Sequence, residues 1–249
     1  MSAEKAPAQP PAPAPSIRAR VRAEMTDEIK RVALEHLARD GSALSLRAVS
    51  RDMGMVSSAI YRYFPSRDEL LTALIIDAYN SLGDAADAAD GEVDRRDAYA
   101  ARWFTVGHTI RRWALAHPAE YALIYGSPIP GYKAPEETIV PATRAIATLA
   151  RVVAEAEAAG RLRTPQGADA TVPTENADYA AELRVVAASL GFAEDSWVVE
   201  RFLGAVTHLF GAVNFELFGR LNNVVNERSE WFDRQLRELA ASMGLSPRR

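Results

Sequence analysis

Residues 44 to 70 read LSLRAVSRDMGMVSSAIYRYFPSRDEL, and two short helical patterns meet there at a tight turn. Leu46, Val49 and Met53 recur at i, i+3 and i+7, an apolar stripe one helix wide, with Ser45 in front as a candidate cap. Gly54 stands where the chain must leave that helix, a place that suits a residue free to take a positive φ. Met55 and Val56 are expected to fill the corner between the helices. A second helix is expected from about Ser57 to Phe64, with Ile60 and Phe64 turned inward and Ser57, Ser58, Ala59, Tyr61, Arg62 and Tyr63 left largely free. Small residues let the first turn of such a helix sink into a major groove, while the phenols and guanidinium behind them reach phosphates and base edges. That is the pattern of a helix-turn-helix that reads DNA. Pro65 and Ser66 stop the second helix, and Ser66 with Glu69 forms an S-x-x-E capping box that starts another.

With 249 residues, 48% of them apolar, the chain can bury a substantial core in one or two domains. The absence of cysteine excludes a disulfide framework and a thiolate zinc site. No apolar run approaches the ~18 residues of a membrane span and no secretory signal pattern is present, so a soluble cytoplasmic protein without a membrane partner is expected. The net charge of −4 is unevenly divided: residues 16 to 70 hold ten Arg/Lys against eight Asp/Glu, residues 71 to 249 hold 18 against 24. A basic head on an acidic body suits a protein that meets phosphate with one end only.

Five prolines and five alanines in residues 1 to 15 predict a disordered tail, taken as 1–16. A first helix is expected to run from Ile17 or Thr26 to Asp40 with Ile29, Val32, Ala33 and Leu37 inward and Gly41 as its stop. Arg18, Arg20 and Arg22 in front of it read either as a minor-groove arm or as a solvated helix end. Arg67 to about Asp90 forms one long helix on Leu70, Leu71, Leu74, Ile75, Ala78 and Leu82. Further helices are expected over Asp94 to Ala116 with Arg pairs outside its apolar face, over Pro118 to Gly126, over Pro135 to about Ala159 with Ile139, Val140, Ile146, Leu149, Val152 and Val153 inward, and around Tyr179 to Leu190. Residues 195 to 221 are apolar on nearly every face and should be enclosed on all sides, and the last helix, about Glu227 to Met243, shows a seam of Phe232, Leu236, Leu239 and Met243. Two terminal helices with that much apolar surface suggest a two-fold four-helix dimer interface. No period-two pattern occurs, so the fold class is all-α.

Metal chemistry finds little support, since His36, His108, His117 and His208 show no paired ligand spacing. No nucleophile elbow, Walker loop or dinucleotide fingerprint occurs in its required context, so neither an enzyme nor a cofactor is expected. The aromatic set Trp103, Phe104, Trp113, Tyr121, Tyr125, Phe202, Phe210 and Phe215 has two readings: packed core, or the lining of a site for an apolar small molecule with His108, Thr207 or Asn214 orienting it.

The run from Ser45 to Leu71 resembles the DNA-binding domain of the TetR/AcrR family of transcriptional repressors, through its turn glycine, the aromatic cluster Tyr61, Tyr63, Phe64 and the capping box behind it. Residues 113 to 144, WALAHPAEYALIYGSPIPGYKAPEETIVPATR, resemble the regulatory domain of one subgroup of that family. The resemblance implies a helix-turn-helix domain at 17–66 joined to a helical ligand-binding and dimerisation domain at 67–249. It implies double-stranded DNA, at a palindromic operator, as partner. Carried over position by position, it implies DNA contacts from Ser45, Arg47, Ser57, Ser58, Ala59, Tyr61, Arg62, Tyr63 and Arg67. Val56, Ala59 and Tyr63 depart from the family's usual residues, so no operator sequence carries over. It also favours a homodimer through the helices near 195–221 and 227–243, and an effector pocket, here lined by Trp103, Phe104, His108, Tyr121, Tyr125, Phe202, Thr207, Phe210 and Asn214. A DNA binder without an inducer and a helical carrier or enzyme are the alternatives.

Overall fold

The computed structural model describes residues 16–40, 44–163 and 176–245, and every regular element in them is helical. Apart from Ser16 the expected tail lies outside the described residues, as do Gly41 and most of the expected loop at 161–174. The chain divides into two compact units between Leu70 and Leu71.

The first unit holds α1 (Ile17–Asp40), α2 (Leu46–Asp52), α3 (Ser57–Ile60) and the first turn of α4 (Arg67–Gly91). Its core is Ile29, Val32, Ala33, Leu44, Leu46, Val49, Ile60 and Phe64, the inward stripes of the three helices and the residue that leads into α2. His36 on α1 is buried, and its Nε2 lies 2.8 Å from an Asp52 carboxylate oxygen at the end of α2. α2 ends in a Schellman motif: Met55 N–H donates to Ser50 O (2.8 Å), Gly54 N–H to Arg51 O (3.0 Å), and Gly54 takes φ +66°. The glycine is required there because a side chain is strained at that φ, whatever the space around it.

Four details of this unit differ from expectation. Ser45 has the extended backbone of an N-cap, but its side chain makes no capping hydrogen bond. Regular helix in α3 stops at Ile60, and the chain continues through tight turns (Arg62 N–H to Ala59 O, Tyr63 N–H to Ile60 O) as far as Phe64. Val56 does not fill the corner; it occupies the N-cap position of α3 and is 71% exposed. Ala59 is buried, on a helix a single turn long that packs against α2.

The second unit continues α4 and adds α5 (Tyr99–Ala116), α6 (Pro118–Tyr125), one 3₁₀ turn (Glu136–Thr138), α7 (Ile139–Ala158), α8 (Ala177–Leu190), α9 (Val198–Leu217) and α10 (Arg228–Ser242). α5 is central, packing on α7, α9 and α10 through Trp103, Val106, Ile110 and Ala114. It begins five residues later than expected, because the Arg96 guanidinium turns back onto Asp90 (2.7 Å) and the intervening residues form turns. Ile139 and Val140 are exposed, not inward: buried Thr138 takes the register position seven residues before Ala145 and turns its two successors outward. Gly160 (φ +62°) closes α7, as its position led us to expect.

α9 is enclosed on one side only. Val199, Phe202, Val206, Leu209 and Val213 are buried, whereas Gly204, Thr207, His208 and Phe215 are exposed within the single chain. The seam of α10 runs through Phe232, Leu236, Ala240 and Met243, with Leu239 half-buried. Among the described residues no helix is long and apolar enough to cross a membrane.

Candidate nucleic-acid interface and effector site

In the first unit Ser45 and Arg47 at the start of α2, Ser57 and Ser58 at the cap-less start of α3, and Tyr61 and Arg62 behind them are all exposed, and they make up the candidate reading edge. Tyr61 is 42% exposed although Ile60 beside it is fully buried, the arrangement required of a side chain that reaches a groove without weakening the core. Ala59 does not share this edge, since its methyl is inside. Tyr63 is half-buried beneath Arg22, whose guanidinium lies 5.2 Å from the ring centroid and donates to Arg62 O at 3.0 Å. Arg22 is thus one turn and more into α1 and braces the end of the α3 segment. Sequence periodicity carries no trace of that contact, because it joins residues 40 apart. Arg67 is engaged as well: its Nε donates to Leu44 O (3.2 Å), tying the start of α4 to the approach to α2. Ser66 Oγ accepts from Glu69 N–H at 3.1 Å, the forward half of the capping box.

What this edge can do follows from its groups. Hydroxyls, a phenol and two guanidiniums supply donors for phosphate and base edges, and the small pair Ser57 and Ser58 allows close approach. Tyr61→Ala should weaken specific DNA binding while leaving helicity and melting temperature near wild type, because the ring has little to lose in the fold. Circular dichroism and band shift on one preparation check it; loss of helicity would mean the ring is structural.

Eight of the nine residues expected around an effector separate into three groups in the second unit, and Thr207 stands apart. Trp103 and Phe202 are fully buried core, and Trp103 Nε1 donates to Leu236 O at 3.3 Å. Phe104 and His108 face α10, the first under the Arg237 guanidinium (5.3 Å), the second with Nε2 3.3 Å from Asp233 and its ring edge-on to Phe232. Thr207 points outward. The third group converges: Tyr121, Tyr125, Phe210 and Asn214 gather with Tyr79 of α4, which spacing alone did not single out as site-forming.

In that nest Tyr125 lies 4.6 Å from Phe210, 5.0 Å from Tyr121 and 6.0 Å edge-on to Tyr79, between ring centroids. Tyr121 Oη and Asn214 Nδ2 both donate to Phe210 O, and Tyr79 Oη donates to Ile124 O. Tyr125 Oη is buried and has no hydrogen-bond partner among the described residues. Burial raises the Tyr121 phenol; burial and then the neighbouring Tyr79 and Tyr121 hydroxyls raise that of Tyr125. Burial raises the Tyr79 phenol as well, so all three are neutral hydrogen bonders.

Residues 29–74 match the bacterial regulatory proteins of the tetR family, and residues 103–239 match the tetracyclin repressor-like C-terminal domain, more than half the chain. This chain belongs to the TetR family. Among its TetR relatives are HTH-type transcriptional regulators of Mycobacterium tuberculosis (Rv1816) and Mycobacterium bovis (Mb1846), each 36% identical over 230 residues that span 90% of this chain and 92% of theirs. The crystal structure of the regulatory protein SCO4313 superposes with a TM-score of 0.72 at 32% identity, covering 91% of this chain and all of that one. The TetR regulator PfmR of Thermus thermophilus shares the fold, with a TM-score of 0.55 at 15% identity over 89% of this chain and 99% of its own. The chain is thus a TetR-family transcriptional regulator with a helix-turn-helix DNA-binding domain, and the exposed edge of the first unit is its candidate reading surface.

Proposed function

We propose that this regulator is a dimeric cytoplasmic repressor that holds a palindromic operator and releases it when an uncharged, largely apolar small molecule enters the nest around Tyr125. The observation that carries the effector half is the buried Tyr125 hydroxyl without a partner. A phenol in that state costs free energy that a ligand with one hydrogen-bond acceptor recovers, while Tyr79, Tyr121 and Phe210 supply the apolar walls. Contacts to DNA come from Ser45, Arg47, Ser57, Ser58, Tyr61 and Arg62, with Tyr63 held in place by Arg22.

Release follows from α4. It begins in the first unit at Arg67 and carries Tyr79 in the second, so a ligand that moves Tyr79 off Ile124 O acts on a helix continuous with the head. The ligand must prefer the displaced arrangement, because equal affinity for both states shifts nothing. A coupling of ~1 to 3 kcal/mol lowers operator affinity about 5- to 150-fold. The test titrates an operator complex with neutral aromatic compounds bearing one acceptor. Release by some of them is expected in wild type, with Tyr125→Phe binding operator normally and responding only at higher ligand concentration. If no compound releases DNA, the chain is a constitutive DNA binder; if Tyr125→Phe responds like wild type, the effector site lies elsewhere.

Gly107, on α5, does not face such a site: a Cβ there would come within 2.8 Å of Leu236 Cδ2. Filling it is overpacking against α10 and offers no mimic of an inducer.

A further inference from the structure

Val56 lies in the turn between α2 and α3, 71% exposed, with extended backbone (φ −65°, ψ 134°). Single exposed aliphatic side chains are ordinary. This one stands in the N-cap position, where valine is among the poorest choices because it offers no acceptor to the first N–H groups of the helix, and no side-chain capping bond is made. Nor does the core call for it. Ile60, Phe64, Leu46 and Val49 close the interior, and Met55 takes the half-buried place in the corner. Among the described residues its backbone carbonyl accepts from Ala59 N–H at 2.8 Å, a bond any residue supplies. The side chain is followed at once by exposed Ser57 and Ser58, on the edge that enters the major groove.

We propose that Val56 is a specificity-determining residue that reads the 5-methyl group of one thymine in each operator half-site. The thymine methyl is the apolar feature of the major groove and is matched by small apolar side chains. A β-branched residue meets it at little entropic cost, since its χ1 is already restricted. The inference rests on the reading of the α3 edge as the element in the groove.

Sites are first selected from random duplexes with the full-length protein; each thymine of a half-site is then replaced by deoxyuridine, which lacks the methyl and keeps the base-pairing edge. At one thymine per half-site, wild type should lose affinity about 4-fold, the worth of one buried methyl. Val56→Ser should bind methylated and unmethylated sites equally and melt at or above the wild-type temperature, because serine supplies the missing cap. Val56→Gly, which has no side chain to meet a methyl and is tolerated at an N-cap, carries the same comparison should the serine variant not bind DNA. A selected site with no uracil-sensitive thymine, or uracil sensitivity unchanged in both variants, overturns the proposal for Val56 and leaves the reading edge standing. A melting temperature lowered in Val56→Ser also overturns it, by showing the side chain to be packed. Failure to select any sequence overturns the reading of the edge and this proposal together.

Discussion

Phe215→Glu should convert the protein from dimer to monomer and lower its affinity for a palindromic site by about 10²- to 10⁴-fold, the advantage that linking two reading heads provides. The reason lies in the open side of α9. Gly204, His208, Gly211, Phe215 and Phe218 fall at helical spacing along one stripe; Phe215 is 52% and Phe218 44% exposed, and the built Cβ of either glycine would meet nothing within 4 Å. Two glycines and two phenylalanines on one exposed line allow a second helix to approach closely and bury both rings, as in a two-fold bundle. A carboxylate at 215 would lose the ring's apolar contact and be drawn out of water at such a seam, with Arg220 of its own chain, 6.0 Å from the Phe215 ring, as a nearby cation. Because position 215 is exposed in the single chain, the fold should survive with helicity unchanged. Sedimentation and band shift measured together decide it, and a Phe215→Glu protein that stays dimeric places the interface elsewhere.

Asp90→Ala should destabilise the second unit by about 3 to 5 kcal/mol, the usual consequence of leaving one member of a buried ion pair alone. Arg102 is fully buried; its Nε donates to Asp90 at 2.7 Å and a terminal nitrogen to Glu155 at 2.5 Å, while Arg96 reaches the same Asp90 carboxylate at 2.7 Å. Removing Asp90 leaves the Arg102 charge with only the half-exposed Glu155 as ionic partner. For a unit of this size the loss corresponds to a melting temperature lower by about 10 °C. The variant Asp90→Ala/Arg102→Met should be milder than Asp90→Ala, since it removes the stranded charge together with its partner.

The same site predicts acid sensitivity with a definite sign. Burial alone would push the Asp90 carboxyl up, but hydrogen bonds from Arg102 and Arg96, and their charges, outweigh it and hold it at about 2, below its ordinary 3.8. The unfolded chain therefore binds this proton more readily than the folded one. The stabilisation is complete above pH 3.8 and is lost as the pH falls from there toward 2. Wild type should lose melting temperature across that interval, and Asp90→Ala should lack that share of the loss.

Helical periodicity made most of the fold legible. The stripes of α1, α2 and α4 are regular, and the breaks at Gly54, Pro118 and Gly160 have simple chemistry. The misreadings share a physical cause, the absence of any period that separates inside from outside. Val56 lies in an extended turn, so no helical register applies to it. Ala59 is too small to mark a face. Hydropathy puts Ile139 and Val140 inward, yet a threonine one residue earlier holds the register. On α9 apolar residues occupy nearly every face, so the sequence could not tell the packed side from the open one.

The site was legible in unequal parts. The reading edge follows from the register of Ile60 and Phe64, whose burial leaves Tyr61 outside. The expected effector residues came apart because aromatic content alone does not distinguish core from lining: Trp103 and Phe202 are core, whereas Tyr125 keeps a buried hydroxyl with no partner among the described residues. Arg102 sits three residues from Tyr99 and beside Trp103, on the inward face of α5, and a charge in that position with Asp90 upstream was the available signal of a buried pair.

Hydroxyl-radical footprinting on a site selected from random DNA, with the number of bound chains counted by sedimentation, tests the central claim most directly. Two chains are expected to protect mirrored half-sites whose centres lie one helical turn, ~34 to 36 Å, or a multiple of it apart. Protection of a single asymmetric half-site by one chain, or uniform protection without sequence preference, would contradict it.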